Sequence, residues 1–310
     1  MDRDVENSNF AALCRAGMAP TYWGRFLNGR LEGWLEFPFR ALQTKEMRWV
    51  QRQLPSQMAR LHGDFNIPDY LLKTTPDNGS RSNGNDDQQR KKENNIALWD
   101  QLHTWMSNVK AAIKKQQQEM EQNNNNTNDD ASIYAKMSKE ISGGIETVTL
   151  TIPQELEHVK TIVSQDAAIS FCHNDLLAAN IMYNEETHDM QLIDFEYGGI
   201  NYVAFDIANH WNEYAGGTDD GIPNYNDVPT LAERQEFIDS YNQSSIYNVT
   251  LQEVESFVLV NHLYWGIWAA NQAFTEGCDE FDYVLYASNR FRQYFIDKQQ
   301  QQQQKEQDTN

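Results

Sequence analysis

The chain has 310 residues, enough for one large domain or two small ones, and its 40% hydrophobic and 12% aromatic content excludes wholesale disorder. Acidic residues outnumber basic ones 45 to 25, for a net charge of −20. That balance argues against nucleic acid or an anionic membrane as partner and suits a cationic one.

The N-terminal MDRDVENSN is charged and has no apolar core, so no signal peptide is read. Residues 2–16 predict a short helix with Phe10, Leu13 and Cys14 on one side. Two aromatic-rich runs, Tyr22–Leu27 and Arg30–Leu35, flank Asn28-Gly29, which predicts a hairpin whose two turn residues need positive φ. A helix including Gln57–His62 follows. The polar tracts at 76–95, 115–130 and 299–310 cannot bury enough apolar surface to offset their ordering entropy, so they read as insertions and a disordered tail. Between the first two, Ile96, Leu98, Trp99, Leu102, Trp105 and Val109 recur at helical spacing. Pro153 to about Val163 predicts another helix, feeding the strand that ends at His173.

Next comes FCHNDLLAANIMYNEETHDMQLIDFEYGG, residues 171–199. It holds H-x-D-x-x-x-x-N (His173, Asp175, Asn180) and, after two apolar runs separated by a turn-like stretch, D-F-x-x-G beginning at Asp194. Kinases use this order to place a base for the substrate hydroxyl and two Mg²⁺ ligands beside the phosphates. Taken singly, each residue is more simply a cap, a turn former or a structural His. The combination, with an acid at the end of each strand, favours phosphoryl transfer.

Downstream, Asp206 sits in an apolar run and reads as a buried brace for the catalytic loop. Glu213 faces either a substrate cation or solvent; its spacing supports both readings equally. From 231 onward the chain reads as mostly helical. The apolar stretch around 257–274 contains Asn261, His262, Asn271 and Gln272, which speaks against a membrane span. Within it Trp265 and Trp268 share a helical face. Such a pair is more often core, and the alternative is an aromatic wall for an ammonium group. Cys14, Cys172 and Cys278 are widely spaced and odd in number, as in a reduced cytosolic protein, and packing is the favoured role for Cys172.

HNDLLAANIM (173–182), IDFEYGGINYVAFDIANHWNEYAGG (193–217), HLYWGIWAANQA (262–273) and FDYVLYASNRFRQYF (281–295) resemble the choline/ethanolamine kinase family. NEYAG at 212–216 is more similar to its ethanolamine branch. The resemblance runs from about residue 5 to 295, apart from the polar insertions. It implies an α+β, protein-kinase-like bilobal fold with a truncated N-lobe and a mainly helical C-lobe. Residues 1–40 would be the N-lobe remnant, 41–298 the C-terminal lobe and 299–310 the Gln-rich tail. The implied activity is ATP-dependent phosphorylation of ethanolamine to phosphoethanolamine, the first step toward phosphatidylethanolamine by the CDP-ethanolamine route. ATP and Mg²⁺ are the implied cofactors, in the cytoplasm; a homodimer is compatible with it. Asp175 would be the catalytic base, Asn180 and Asp194 the Mg²⁺ ligands, and Tyr197, Glu213, Trp265 and Trp268 the amino-alcohol pocket. Glu6 would pair with the ATP-binding lysine of the family. The family's Gly-rich loop and lysine strand, expected before Glu6, are not found here. Truncation is favoured over a non-catalytic relic because Asp175, Asn180 and Asp194 are all kept. An amino-alcohol-binding relic and a choline kinase are the alternatives.

Overall fold

A computed structural model describes residues 3–69, 96, 98–122, 132–164 and 166–309. In chain order the elements are α1 (Arg3–Arg15), β1 (Tyr22–Phe26), β2 (Gly29–Glu32), β3 (Phe39–Ala41), α2 (Met47–Val50), α3 (Leu54–Asp64), α4 (Leu98–Gln122), α5 (Ile133–Glu140), α6 (Ile152–Ile162), β4 (Ile169–Cys172), β5 (Ile181–Asn184), β6 (Met190–Leu192), β7 (Gly199–Tyr202), α7 (Val203–Glu213), α8 (Leu231–Ser244), α9 (Leu251–Thr275) and α10 (Tyr283–Thr309). Among the described residues the strands make three small antiparallel sheets, β1–β2, β3–β5–β6 and β4–β7. The chain divides into one compact unit of Met1–Ala97, Gln165–Ala215 and Asn226–Val254, and another of Leu98–Ser164, Gly216–Tyr225 and Glu255–Asn310. The expected boundary near residue 40 therefore falls inside the first unit.

In the first unit, α3 buries Leu54, Met58, Leu61 and His62 on one face and packs against α8. Thr230 starts α8 with a capping box: its hydroxyl accepts from the Glu233 N–H, and the Glu233 carboxylate accepts from the Thr230 N–H. The β1–β2 hairpin forms as expected but turns elsewhere. Phe26 pairs with Gly29, so Leu27 and Asn28 make the turn, and neither has a positive φ. The three pairs nearest the turn keep one register, and the ladder shifts only at its far end, between Tyr22 and Gly24.

In the second unit, α4 buries Leu98, Leu102, Met106, Val109 and Ile113 along one stripe. It then runs on to Gln122, so residues 115–122 are helical, not part of a disordered insertion. Likewise α10 carries the Gln-rich tail as helix to Thr309. Gln, Glu and Lys are good helix formers, and extending a helix already anchored by packing needs no new nucleus. The expected insertion at 76–95 and the remainder of the second, 123–130, lie outside the described residues. From Glu255 onward α9 is buried on most sides, covering Phe257, Val260, Leu263, Ile267 and Ala270 together with the polar Asn261 and His262. No described helix is long and apolar enough to cross a membrane.

Gly266 sits where α9 meets α10. A Cβ there would lie 2.5 Å from the Phe291 ring, and Phe291 is itself buried. Gly266→Ala is therefore expected to destabilise the protein by roughly 1–3 kcal/mol through overpacking. Thermal melts check this, and an unchanged midpoint would show that the two helices have slack.

Candidate active site

Local pairing explains how distant residues meet. β5 and β6 form an antiparallel hairpin in which Ile181 faces Leu192. Asn180, just before β5, thus lies beside Ile193, just after β6, and the Ile193 N–H donates to the Asn180 carbonyl at 3.0 Å. Asp194 follows at once. β4 runs beside β7 and releases the chain into His173-Asn174-Asp175. The Asn180 amide then donates to the Asp175 carbonyl at 2.8 Å and reaches toward its carboxylate at 3.4 Å.

Both corners of the site use left-handed backbone, at Asn174 (φ 66°) and Asp194 (φ 59°). Asn and Asp enter that region more readily than other side-chain-bearing residues, and strained backbone persists where its surroundings over-determine it. At Asn174 the surroundings do so. Its amide donates to the Tyr197 carbonyl at 2.9 Å, and its side-chain oxygen accepts from Asn201 at 2.8 Å.

Asp206 is fully buried in α7 and braces the loop as expected. Its two carboxylate oxygens accept the backbone N–H of His173 at 2.9 Å and of Asn174 at 2.6 Å. Burial pushes the Asp206 carboxyl up, but hydrogen bonds from His62 and the His173 N–H, with both imidazoles close by, hold it below its ordinary value. His173 is a strut. Its ring is buried, Nε2–H donates to the Ile193 carbonyl at 2.8 Å, and burial lowers its pKa. The loop is tied a third time by His210, whose Nδ1–H donates to the Leu176 carbonyl at 3.0 Å.

Burial also holds the His210 pKa down, from 6.5 to about 4. The unfolded chain thus binds a proton that the folded one refuses between those values, so this contribution to stability is present above pH 6.5 and is lost as pH falls toward 4. Urea titrations at pH 7.5 and 5 are expected to show the wild type losing about 2 kcal/mol more than His210→Gln on acidification. Equal losses would contradict it.

Asp175 is half-buried, and Glu213, the last residue of α7, is buried. The Asp175 carboxyl is pushed well above its ordinary value by burial first, then by Glu213, Asp194 and Glu196. Glu196 is raised by burial and by Asp194 and Glu6. Several acids therefore converge on one place, with Asn180 beside them. Such a set of hard oxygen donors fits a divalent cation, which would relieve the repulsion. Tyr197 is half-buried in the same segment. Glu6 does not meet a lysine: it pairs with Arg30 of β2, which also pairs with Glu32. Arg30 stands in β2, which pairs with β1, the strand that packs against α1, and its guanidinium reaches the Glu6 carboxylate. In the second unit, Trp265 is buried and stacks edge-to-face on Trp268 at 5.2 Å, with Tyr264 and Tyr283 extending the aromatic row.

Sequence reasoning missed Glu196, Asn174, Asn201 and His62. Glu196 was visible as a second acid two residues after Asp194. His62 was visible only as a polar residue on the apolar face of α3. His62, Cys172 and Asp206 bring one ligand atom each to within 4.8 Å of one another. They are already engaged in hydrogen bonds, with the Cys172 thiol 3.5 Å from the Asn201 carbonyl, and so are structural.

A loop Asp and Asn followed by a second Asp across a β-hairpin, on a mixed and mostly helical scaffold, defines a protein-kinase-like phosphotransferase. The model of the choline/ethanolamine kinase family matches residues 1–295, and the chain belongs to that family. It is 39% identical to ethanolamine kinase 1 of Mus musculus, covering 95% of this chain and 72% of that protein. It is 29% identical to probable choline kinase 3 of Arabidopsis thaliana, covering 96% and 74%. Among solved structures, an ethanolamine kinase from Plasmodium vivax superposes with a TM-score of 0.72 at 22% identity, covering 95% of this chain and 73% of that one. The chain is an ethanolamine/choline kinase.

Proposed function

We propose that the protein transfers the γ-phosphoryl group of ATP to ethanolamine, giving phosphoethanolamine for phosphatidylethanolamine synthesis by the CDP-ethanolamine route. The observation that carries the site assignment is the convergence of Asp175, Asn180 and Asp194 on one hairpin and one loop. Asp175 accepts the substrate hydroxyl proton. Asn180 and Asp194 would hold Mg²⁺, which neutralises phosphate charge when bound. Tyr197 and Glu213 of the first unit, and Trp265 and Trp268 of the second, are the residues assigned to the amino alcohol, carboxylate and rings both being attractive to an ammonium group. Ethanolamine is favoured over choline by the NEYAG sequence and by the 39% identity to a relative named ethanolamine kinase, against 29% to one named choline kinase. Three free cysteines support a reducing, cytoplasmic setting. A homodimer belongs to the same reading, and sedimentation would check it.

A coupled ADP-release assay with Mg-ATP and either alcohol tests the preference. A higher kcat/KM for ethanolamine is expected, whereas a higher value for choline would transfer the protein to the other branch. ATP binding without turnover of either alcohol would sink the catalytic reading.

A further inference from the structure

His62 is 1% exposed, yet every polar atom it can offer through its ring is used. Nε2–H donates to Asp206 Oδ2 at 2.9 Å, and Nδ1 meets the Tyr241 hydroxyl at 2.8 Å. Its backbone carbonyl accepts from the Ser170 hydroxyl of β4, the strand that leads into the catalytic loop. One residue of α3 is thus tied to α7, α8 and β4. Asp206 Oδ2 carries a double load, since it also accepts the His173 N–H, while Oδ1 takes the Asn174 N–H at 2.6 Å. The rotation of this carboxylate therefore fixes two consecutive amides immediately before Asp175. Those amides alone leave the carboxylate free to turn and slide. A third donor coming from the α3 side removes that freedom.

We infer that His62 is a positioning residue for phosphoryl transfer: with Tyr241 behind it, it locks the Asp206 carboxylate and so sets the left-handed Asn174 corner and the aim of Asp175. The chain of contacts is His62, Asp206, Asn174, Asp175. Substrate is not touched at any link before the last. Loss of the lock is expected in turnover, not in affinity, because it displaces the base and leaves the pocket residues in place. This rests on Asp175 being the base.

The test compares His62→Leu, His62→Gln and Tyr241→Phe in steady-state kinetics with Mg-ATP and ethanolamine, with Asp175→Ala as the reference for a lost base. Hydrogen–deuterium exchange over residues 171–176 is measured on the same samples. His62→Leu is expected to lower kcat roughly 10- to 100-fold, with both KM values within about twofold of wild type. Its His173 and Asn174 amides should exchange faster. His62→Gln, which keeps a side-chain N–H able to reach Asp206, should regain most of kcat and of the amide protection. Tyr241→Phe should fall between them.

Unchanged kcat in His62→Leu would overturn the inference. So would a loss in which both KM values rise in step and the Gln variant recovers neither turnover nor protection, since that describes a general packing defect. If Asp175→Ala keeps wild-type turnover, the assignment of the base fails instead. The exchange data then still decide whether His62 holds the loop, because they do not depend on activity.

Discussion

Asp175→Asn is expected to lower kcat by roughly 10²–10⁴-fold with little change in thermal stability. The carboxylate is the only group in the loop placed to take a hydroxyl proton: His173 is buried and spent on the Ile193 carbonyl, and Asn180 is an amide. Burial and the neighbouring acids raise the Asp175 pKa, and a cation bound beside it would favour the ionised form. Removing one of several mutually repelling acids should leave the fold intact or slightly firmer. Steady-state kinetics and a melt on the same preparation separate the two effects. Near-normal kcat would remove Asp175 from the mechanism. A large fall in melting temperature would make it a structural residue instead.

Asp206→Asn is expected to do the opposite, damaging fold and activity together. The substitution is nearly isosteric, but one carboxylate oxygen becomes an NH₂ facing donors. Whichever way the amide turns, it confronts either the Asn174 N–H or the shared position that takes both His173 N–H and His62 Nε2–H. At least one buried donor loses its acceptor, and the charge that matched them is gone. Leaving such groups unmatched costs on the order of 2–5 kcal/mol. Urea unfolding midpoints and kcat should both fall. A variant with wild-type stability would mean that the loop does not depend on this carboxylate.

The parts of the site legible in the sequence were those set by local chain geometry. Asp175, Asn180 and Asp194 could be brought together on paper because a loop, a strand, a turn and a strand leave few alternatives, and the β5–β6 pairing has that form. Asp206 could be read as a brace from its apolar surroundings alone. What holds the brace could not: His62 lies 144 residues away from Asp206 and Tyr241 lies 179 from His62, separations at which periodicity says nothing about contact. The partner that Glu6 has here is likewise out of reach of periodicity. The family resemblance implies a lysine that is not found in this sequence, and the hairpin brings Arg30 to the carboxylate.

Local chemistry misled in two other places. Asn28-Gly29 satisfied the rule for a tight turn, yet Gly29 pairs with Phe26 and the turn falls at Leu27-Asn28. The Gln-rich ends looked unable to fold because they bury nothing, and indeed they are exposed. They are helical because α4 and α10 are already nucleated by residues such as Val109 and Tyr294, which are packed.

The most direct measurement is ³¹P NMR of the protein incubated with Mg-ATP and ethanolamine, run beside Asp175→Asn. Expected is a phosphomonoester resonance matching authentic phosphoethanolamine, growing as ATP is consumed and absent from the variant. ATP consumption that yields inorganic phosphate regardless of ethanolamine, or equal phosphoethanolamine from the variant, would contradict it.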